Sequence, residues 1–190
     1  MKSLSLKRLV VLIFVIVPLT AWFLVKPVRV VAPGLVGISC PQENVCVDDM
    51  TRYQEAISLY IEGTAFVASK LMPLRSTPKV IFCSTITCAE TFGLGARSAV
   101  TVARFGTVVG PRAWKNYYVR HEMIHVLQGE QIGVIPLLLK PSWFVEGMAY
   151  SLSEDPRDTL AEPFETDRKL FRSWYQAIGK DFVWSAAKEL

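Results

Sequence analysis

Histidine is nearly absent from this 190-residue chain, which has only two. Acidic residues are missing from the first 29 positions, and no basic stripe runs through the rest. Lys2, Lys7, Arg8, Lys26 and Arg29 account for the net charge of +4; setting those five aside leaves 16 of the 21 basic residues against 17 acidic ones, a balance of −1. A near-neutral body does not suit a phosphate backbone, so no nucleic-acid partner is expected. Internal repeats and low-complexity tracts are also missing, which leaves one domain with an appendage.

One long apolar run is present. Residues 1–8 are basic, residues 9–25 carry no charge, and Lys26 closes the run. At about 1.5 Å per residue such a run reaches the lower limit for crossing a bilayer. Trp22 and Phe23 suit an interfacial belt. An uncleaved N-terminal transmembrane helix over 1–25 is therefore expected, giving a single-pass, membrane-anchored protein with its domain on the exported side, periplasmic or extracellular. A cleaved signal peptide competes with this reading, but no small-x-small site follows and Ala32 precedes Pro33. Residues 26–38, with Pro27, Pro33 and Gly34, read as a juxtamembrane linker, and 39–190 as the domain proper.

Cysteine is sparse and placed late. Cys40, Cys46, Cys83 and Cys88 all follow the apolar run. Three disulfide connectivities are open to four cysteines, and local pairing, Cys40 with Cys46 and Cys83 with Cys88, is the one expected. A structural zinc site and buried free thiols are the alternatives; the Cys40–Cys46 spacing is too wide for the first.

The domain reads as α+β with a short sheet. Asp48 or Asp49 caps a helix to about Leu71, and Pro73 and Pro78 follow it. Residues 79–83 form a strand. Residues 98–103 and 106–110 form a hairpin or one bent strand. Helices follow at about 113–128, with Gly129 as C-cap, from Pro141 or Ser142 to about Leu152, and in two segments of the tail, Thr166 to Ile178 and from Asp181 onward. Residues 133–139 are apolar but too short to cross a membrane.

Both histidines fall in His121-Glu122-Met123-Ile124-His125. On a helix, residues four apart share a face, so two imidazoles can grip one zinc ion, and Glu122 beside them can take a proton from the water there. No third histidine exists, so an acid or a cysteine must complete the ligand set. The second segment, Trp143-Phe144-Val145-Glu146-Gly147-Met148-Ala149, supplies Glu146. Apolar neighbours imply a largely buried helix, and a buried carboxylate needs a partner such as a metal. An exposed helical glutamate is the plainer alternative. Gly147 and Ala149 are small enough for that helix to approach the first closely.

The two segments together resemble the gluzincin metallopeptidases, the group that includes thermolysin and aminopeptidase N, over roughly residues 95–155. Their pattern is H-E-x-x-H followed by a helix bearing a glutamate ligand, which the aminopeptidase branch writes approximately as W-L-N-E-G-F-A. The resemblance implies a zincin-like domain with an active-site helix pair, a zinc ion held by His121, His125 and Glu146, and Glu122 as general base. It also implies a sheet edge over the cleft, here residues 98–110, that binds an extended peptide or protein substrate. Val145 stands where the family has asparagine. With no histidine left to stabilise an oxyanion, a tyrosine or arginine must do so, from among Tyr117, Tyr118, Tyr150 and Arg120. Two other readings stand beside a peptidase: a non-catalytic envelope protein that keeps this fold to bind zinc or a partner, and zinc-assisted hydrolysis of a non-peptide substrate.

Overall fold

The computed structural model describes residues 10–190. The basic start of the expected anchor lies outside the described residues, as does the side chain of Phe23. The expectation of a transmembrane helix is overturned: among the described residues no helix is long and apolar enough to cross a membrane. The apolar run divides into a π-helical stretch, Leu12–Ile16, and α1, Val17–Leu24, and the helix ends at Val25. The chain then tightens into 3-10 turns, Lys26–Val31 and Pro33–Val36, each with proline near its start. The single-pass membrane localisation that rested on that helix falls with it.

The remainder is α+β. Five short strands form one sheet: β1 (Ser39–Gln42), β2 (Val45–Val47), β3 (Val80–Phe82), β4 (Ala99–Val102) and β5 (Gly106–Val109). Their spatial order is β1-β2-β3-β5-β4. The three inner strands run parallel; the two outer ones are antiparallel to their neighbours. Side chains alternate across the sheet. Val45, Val47, Val80, Phe82 and Val109 face one core, while Cys46, Ile81 and Val108 face another. The second core is closed by Val30, Ile38, Cys88 and Phe92. Val30 is fully buried, so the segment read as a linker contributes to packing.

Both disulfides pair locally, Cys40–Cys46 and Cys83–Cys88, and none of the four cysteines is free. That excludes the structural zinc site and the buried thiols. Such bonds persist in oxidising compartments. The Cys40–Cys46 bond ties β1 to β2, a hairpin whose strands the sequence pattern does not announce. A further short helix, α3 (Ile86–Thr91), carries Cys88 and was likewise not expected.

On the first core lie α2 (Tyr53–Lys70) and α4 (Asn116–Ile132). The Asp49 carboxylate accepts the Thr51 N–H at 2.9 Å and starts the 3-10 turn that leads into α2. Buried Ala56, Leu59, Gly63 and Val67 make the inward stripe of α2. Gly63 permits close approach: a Cβ there would stand 2.8 Å from Val119 Cγ1 on α4. The sequence ends this second helix at Gln128, but it runs to Ile132. Glycine inside a helix costs about 1 kcal/mol; at Gly129 the extra turn offsets this by packing Ile132 on the core. Gly133, with φ of +94°, ends the helix instead.

After α5 (Val134–Leu138), α6 (Ser142–Leu152) crosses between α4 and α7 (Phe164–Ile178), and α8 (Val183–Glu189) closes the chain. Gly147 serves a different neighbour from the one its small size suggested. A Cβ on it would lie 2.3 Å from the Asp167 carbonyl oxygen, so the close approach is between α6 and α7.

Candidate metal centre

His121 and His125 project from one face of α4 into a cleft of about 810 Å³, whose other walls include β4 and α6. Their Nε2 atoms are 3.0 Å apart. Glu146 reaches them from α6, with Oε2 3.5 Å from His121 Nε2 and Oε1 3.7 Å from His125 Nε2. One donor atom from each residue fits within a 4.8 Å span, so the three could hold a metal ion.

The chemistry of the donors fits a cation. Gln128, fully buried, lies one turn past His125. Its amide Nε2 donates to the carbonyls of Val145 at 3.0 Å and Phe144 at 3.4 Å, which can only accept. Its Oε1 must then face His125 Nδ1, 2.8 Å away, and that nitrogen must donate. His125 therefore keeps its proton on Nδ1 and turns the Nε2 lone pair toward Glu146 and His121. Burial pushes the Glu146 carboxyl up, but the bond to His121 and the positive charge that His125 and His121 carry when protonated outweigh it and hold it below the usual range, a charge that a bound cation would supply in place of those protons. An anionic carboxylate and an imidazole lone pair converging on one point is the arrangement a divalent cation satisfies.

Glu122 is next to His121 in sequence but outside this donor set. Its carboxylate Oε2 accepts from Thr101 Oγ1 of β4 at 2.7 Å. Thr101 Oγ1 is also 3.2 Å from the Glu122 carbonyl and 3.0 Å from Thr107 Oγ1. Burial, chiefly, with the nearby Glu146 charge, raises the Glu122 carboxyl above the ordinary value, against the pull of His125 and Thr101. β4 is the last strand of the sheet, and Ala99, Val100 and Thr101 line the cleft.

Three of the four residues proposed to stabilise an oxyanion line this cleft: Tyr117, Tyr118 and Tyr150. The Tyr150 ring meets the His121 ring edge-on at 4.4 Å. Burial and the Glu146 charge push its hydroxyl up to about 12, so it stays a donor at neutral pH. Arg120 is turned away. Its guanidinium is held by Glu62 and Glu154 over the Phe66 ring, on the side of α4 that faces α2.

Gln128, Thr101 and Arg157 belong to the site and were not read from the sequence. Gln128 was accessible, since it lies three residues beyond His125 on the same helical face. Thr101 and Arg157 come from distant segments and carry no local signal. Compared with known proteins, the chain matches no family model, no curated protein and no solved structure.

Proposed function

We propose that the chain is a zinc-dependent peptidase of the gluzincin type, acting on an extended peptide or protein segment. The observation that carries this reading is the position of Glu122: a buried carboxyl beside a His-His-Glu donor set, yet outside it, and held toward the cleft by Thr101. A site that only stored a metal has no use for such a group. Two imidazoles and one carboxylate form a ligand set that leaves a position open, which favours zinc in a hydrolytic role. Bound there, zinc supplies the positive charge that polarises a carbonyl and acidifies water.

The chain's own residues do the rest. The outer edge of β4 pairs with an extended substrate backbone and lays it across the cleft. Glu122 takes a proton from water as that water attacks the peptide carbonyl, then passes it to the leaving amine. Burial and the Thr101 bond hold Glu122 where it can make both transfers. Tyr150, protonated and against His121, donates to the oxygen on which charge develops.

Glu122→Gln tests the reading. The variant is expected to bind one zinc per chain, as the wild type does, measured by elemental analysis. Its cleavage of a diverse peptide mixture, followed by mass spectrometry, is expected to fall by about 10²–10⁴-fold. Undiminished cleavage would refute the role of Glu122. Full zinc occupancy with no cleavage by the wild type would refute the peptidase.

A further inference from the structure

Four charged groups of the cleft, Arg97, Lys140, Asp155 and Arg157, have no part in the chemistry above. Arg157 lies in the loop between α6 and α7 and lines the same cavity as the His-His-Glu cluster. Its guanidinium carbon is 5.7 Å from the ring centre of Tyr150, 5.6 Å from that of Tyr118 and 5.7 Å from that of Tyr117. Tyr150 in turn touches His121. One aromatic ring therefore separates Arg157 from the metal-ligand candidates.

The guanidinium is half engaged. Nε donates to Asp155 Oδ1 at 2.8 Å, and Nη2 donates to Asp155 Oδ2. Asp155 thus occupies the side-on fork, Nε with Nη2. Among the described residues, no acceptor engages Nη1. The end-on fork, Nη1 with the outer N–H of Nη2, remains for a second planar acceptor. The Asp155 side chain is buried, whereas that of Arg157 is 39% exposed, so the open side of the pair is the arginine.

The loop around it is fixed in advance. Buried Arg168 of α7 donates to the Arg157 carbonyl at 3.0 Å and to the Asp158 carbonyl at 2.7 Å. Arg168 is itself paired with Glu165 at 2.6 Å, and Glu165 accepts the Leu160 N–H at 3.1 Å. The Arg157 N–H closes a turn on Asp155 Oδ1 at 3.0 Å. A surface arginine loses rotamer freedom when it binds an anion; this one has already lost most of it.

We infer that Arg157 is the specificity-determining residue of the cleft and takes a carboxylate of the substrate on its end-on fork. Three observations carry this: the cavity shared with the His-His-Glu cluster, the vacant fork and the anchored loop. The inference rests on the peptidase reading for its choice of ligand. The carboxylate belongs either to a free C-terminus or to an aspartate or glutamate side chain. The Arg157–Tyr150 and Tyr150–His121 separations of 5.7 and 4.4 Å together correspond to roughly two to three residues of extended chain at about 3.3 Å each.

The test uses zinc-chelating probes on the zinc-loaded full chain. Three hydroxamate-capped dipeptides are compared by calorimetry: one with a free C-terminus, its C-terminal amide, and an amidated analogue with aspartate at the second position. The wild type is expected to bind one or both carboxylate probes about 10–100-fold more tightly than the plain amide, and the one preferred identifies the source. Arg157→Met is expected to bring that ratio near unity, and Arg157→Lys to keep only part of it, because an ammonium lacks the fork. Zinc content measured on each variant shows that the centre is intact. Equal binding of all three probes by the wild type would overturn the inference, and so would a ratio that survives Arg157→Met. An intact ratio in a protein that cleaves no peptide would sustain Arg157 and refute the peptidase alone.

Discussion

Gln128→Leu isolates what holds His125 in place. Leucine nearly matches glutamine in volume, so the substitution leaves no large cavity; it deletes polar bonds. His125 Nδ1–H loses its acceptor, and the Val145 carbonyl loses a donor at 3.0 Å. Leaving one buried donor unsatisfied costs about 1–3 kcal/mol. For a chain of this size each kcal/mol lowers Tm by about 2–4 °C. The larger consequence concerns the metal. Without its partner the imidazole is free to rotate and to move its proton to Nε2, and loss of a residue that orients a ligand typically weakens metal affinity about 10–100-fold. Zinc titration against a chromophoric chelator reads this directly, and thermal melts of the metal-free protein read the stability term separately. Gln128→Glu gives a second handle. One carboxyl oxygen still accepts from Nδ1, but the other faces the Val145 carbonyl and must carry a proton to bond with it. A buried carboxyl held through its proton has a folded-state pKa above the unfolded value of about 4.3. Its contribution is therefore complete below that value and is lost as pH rises through the folded pKa. Zinc affinity in Gln128→Glu is expected to lie nearer the wild type than in Gln128→Leu. If Gln128→Leu binds zinc as tightly as the wild type, helix geometry alone orients His125 and the reasoning fails.

Glu146→Ala is expected to weaken zinc binding by more than the 10–100-fold of Gln128→Leu, since it removes a donor rather than a support. Glu130→Ala provides the contrast. Glu130 accepts the Arg75 and Ser76 N–H groups at 2.8 and 2.9 Å, far from the donor set, so zinc affinity should hold while the 75–76 loop loosens; equal losses in the two variants, by the same titration, would refute Glu146 as the third ligand. Gly147→Ala is expected to destabilise by about 1–3 kcal/mol or more, because the added methyl meets the Asp167 carbonyl. An unchanged denaturation midpoint for Gly147→Ala would mean that α6 and α7 are less tightly opposed than they stand here.

What the sequence discloses about the fold follows the range of the forces involved. The period of α2, the β-prone hairpin of β4 and β5 and the Ser142 start of α6 are local signals, and all three elements form where they were expected. The Cys40–Cys46 and Cys83–Cys88 pairs were legible because short loops close readily. The N-terminal run misled because hydropathy reports solvent preference and not helix length. The described helix ends at Val25, and the chain turns at Lys26 and Pro27. Val30 then fills the second core, a destination that no pattern in the run itself could reveal.

The centre divides along the same line. His121, Glu122 and His125 are bound together by helical spacing, so their convergence could be read from five letters. Glu146 depends on a tertiary contact; its apolar neighbours suggest a buried helix, but the Glu146 side chain stays 32% exposed, open to the cleft where the histidines converge. Gln128 follows from the same helical spacing; Thr101 and Arg157 need more. Thr101 reaches Glu122 only because the sheet order places β4 at the edge, with β5 interposed between it and β3. Arg157 lines the cleft from a loop whose carbonyl is held by Arg168, eleven residues on. Spacing thus brings His121, Glu122 and His125 together, while Glu146, Thr101, Tyr150 and Arg157 reach the cleft through the packing of separate elements. Specificity in such a site is open to change by loop substitutions that leave the His-His-Glu cluster untouched. Arg157 and its Asp155 partner are where this chain would show it.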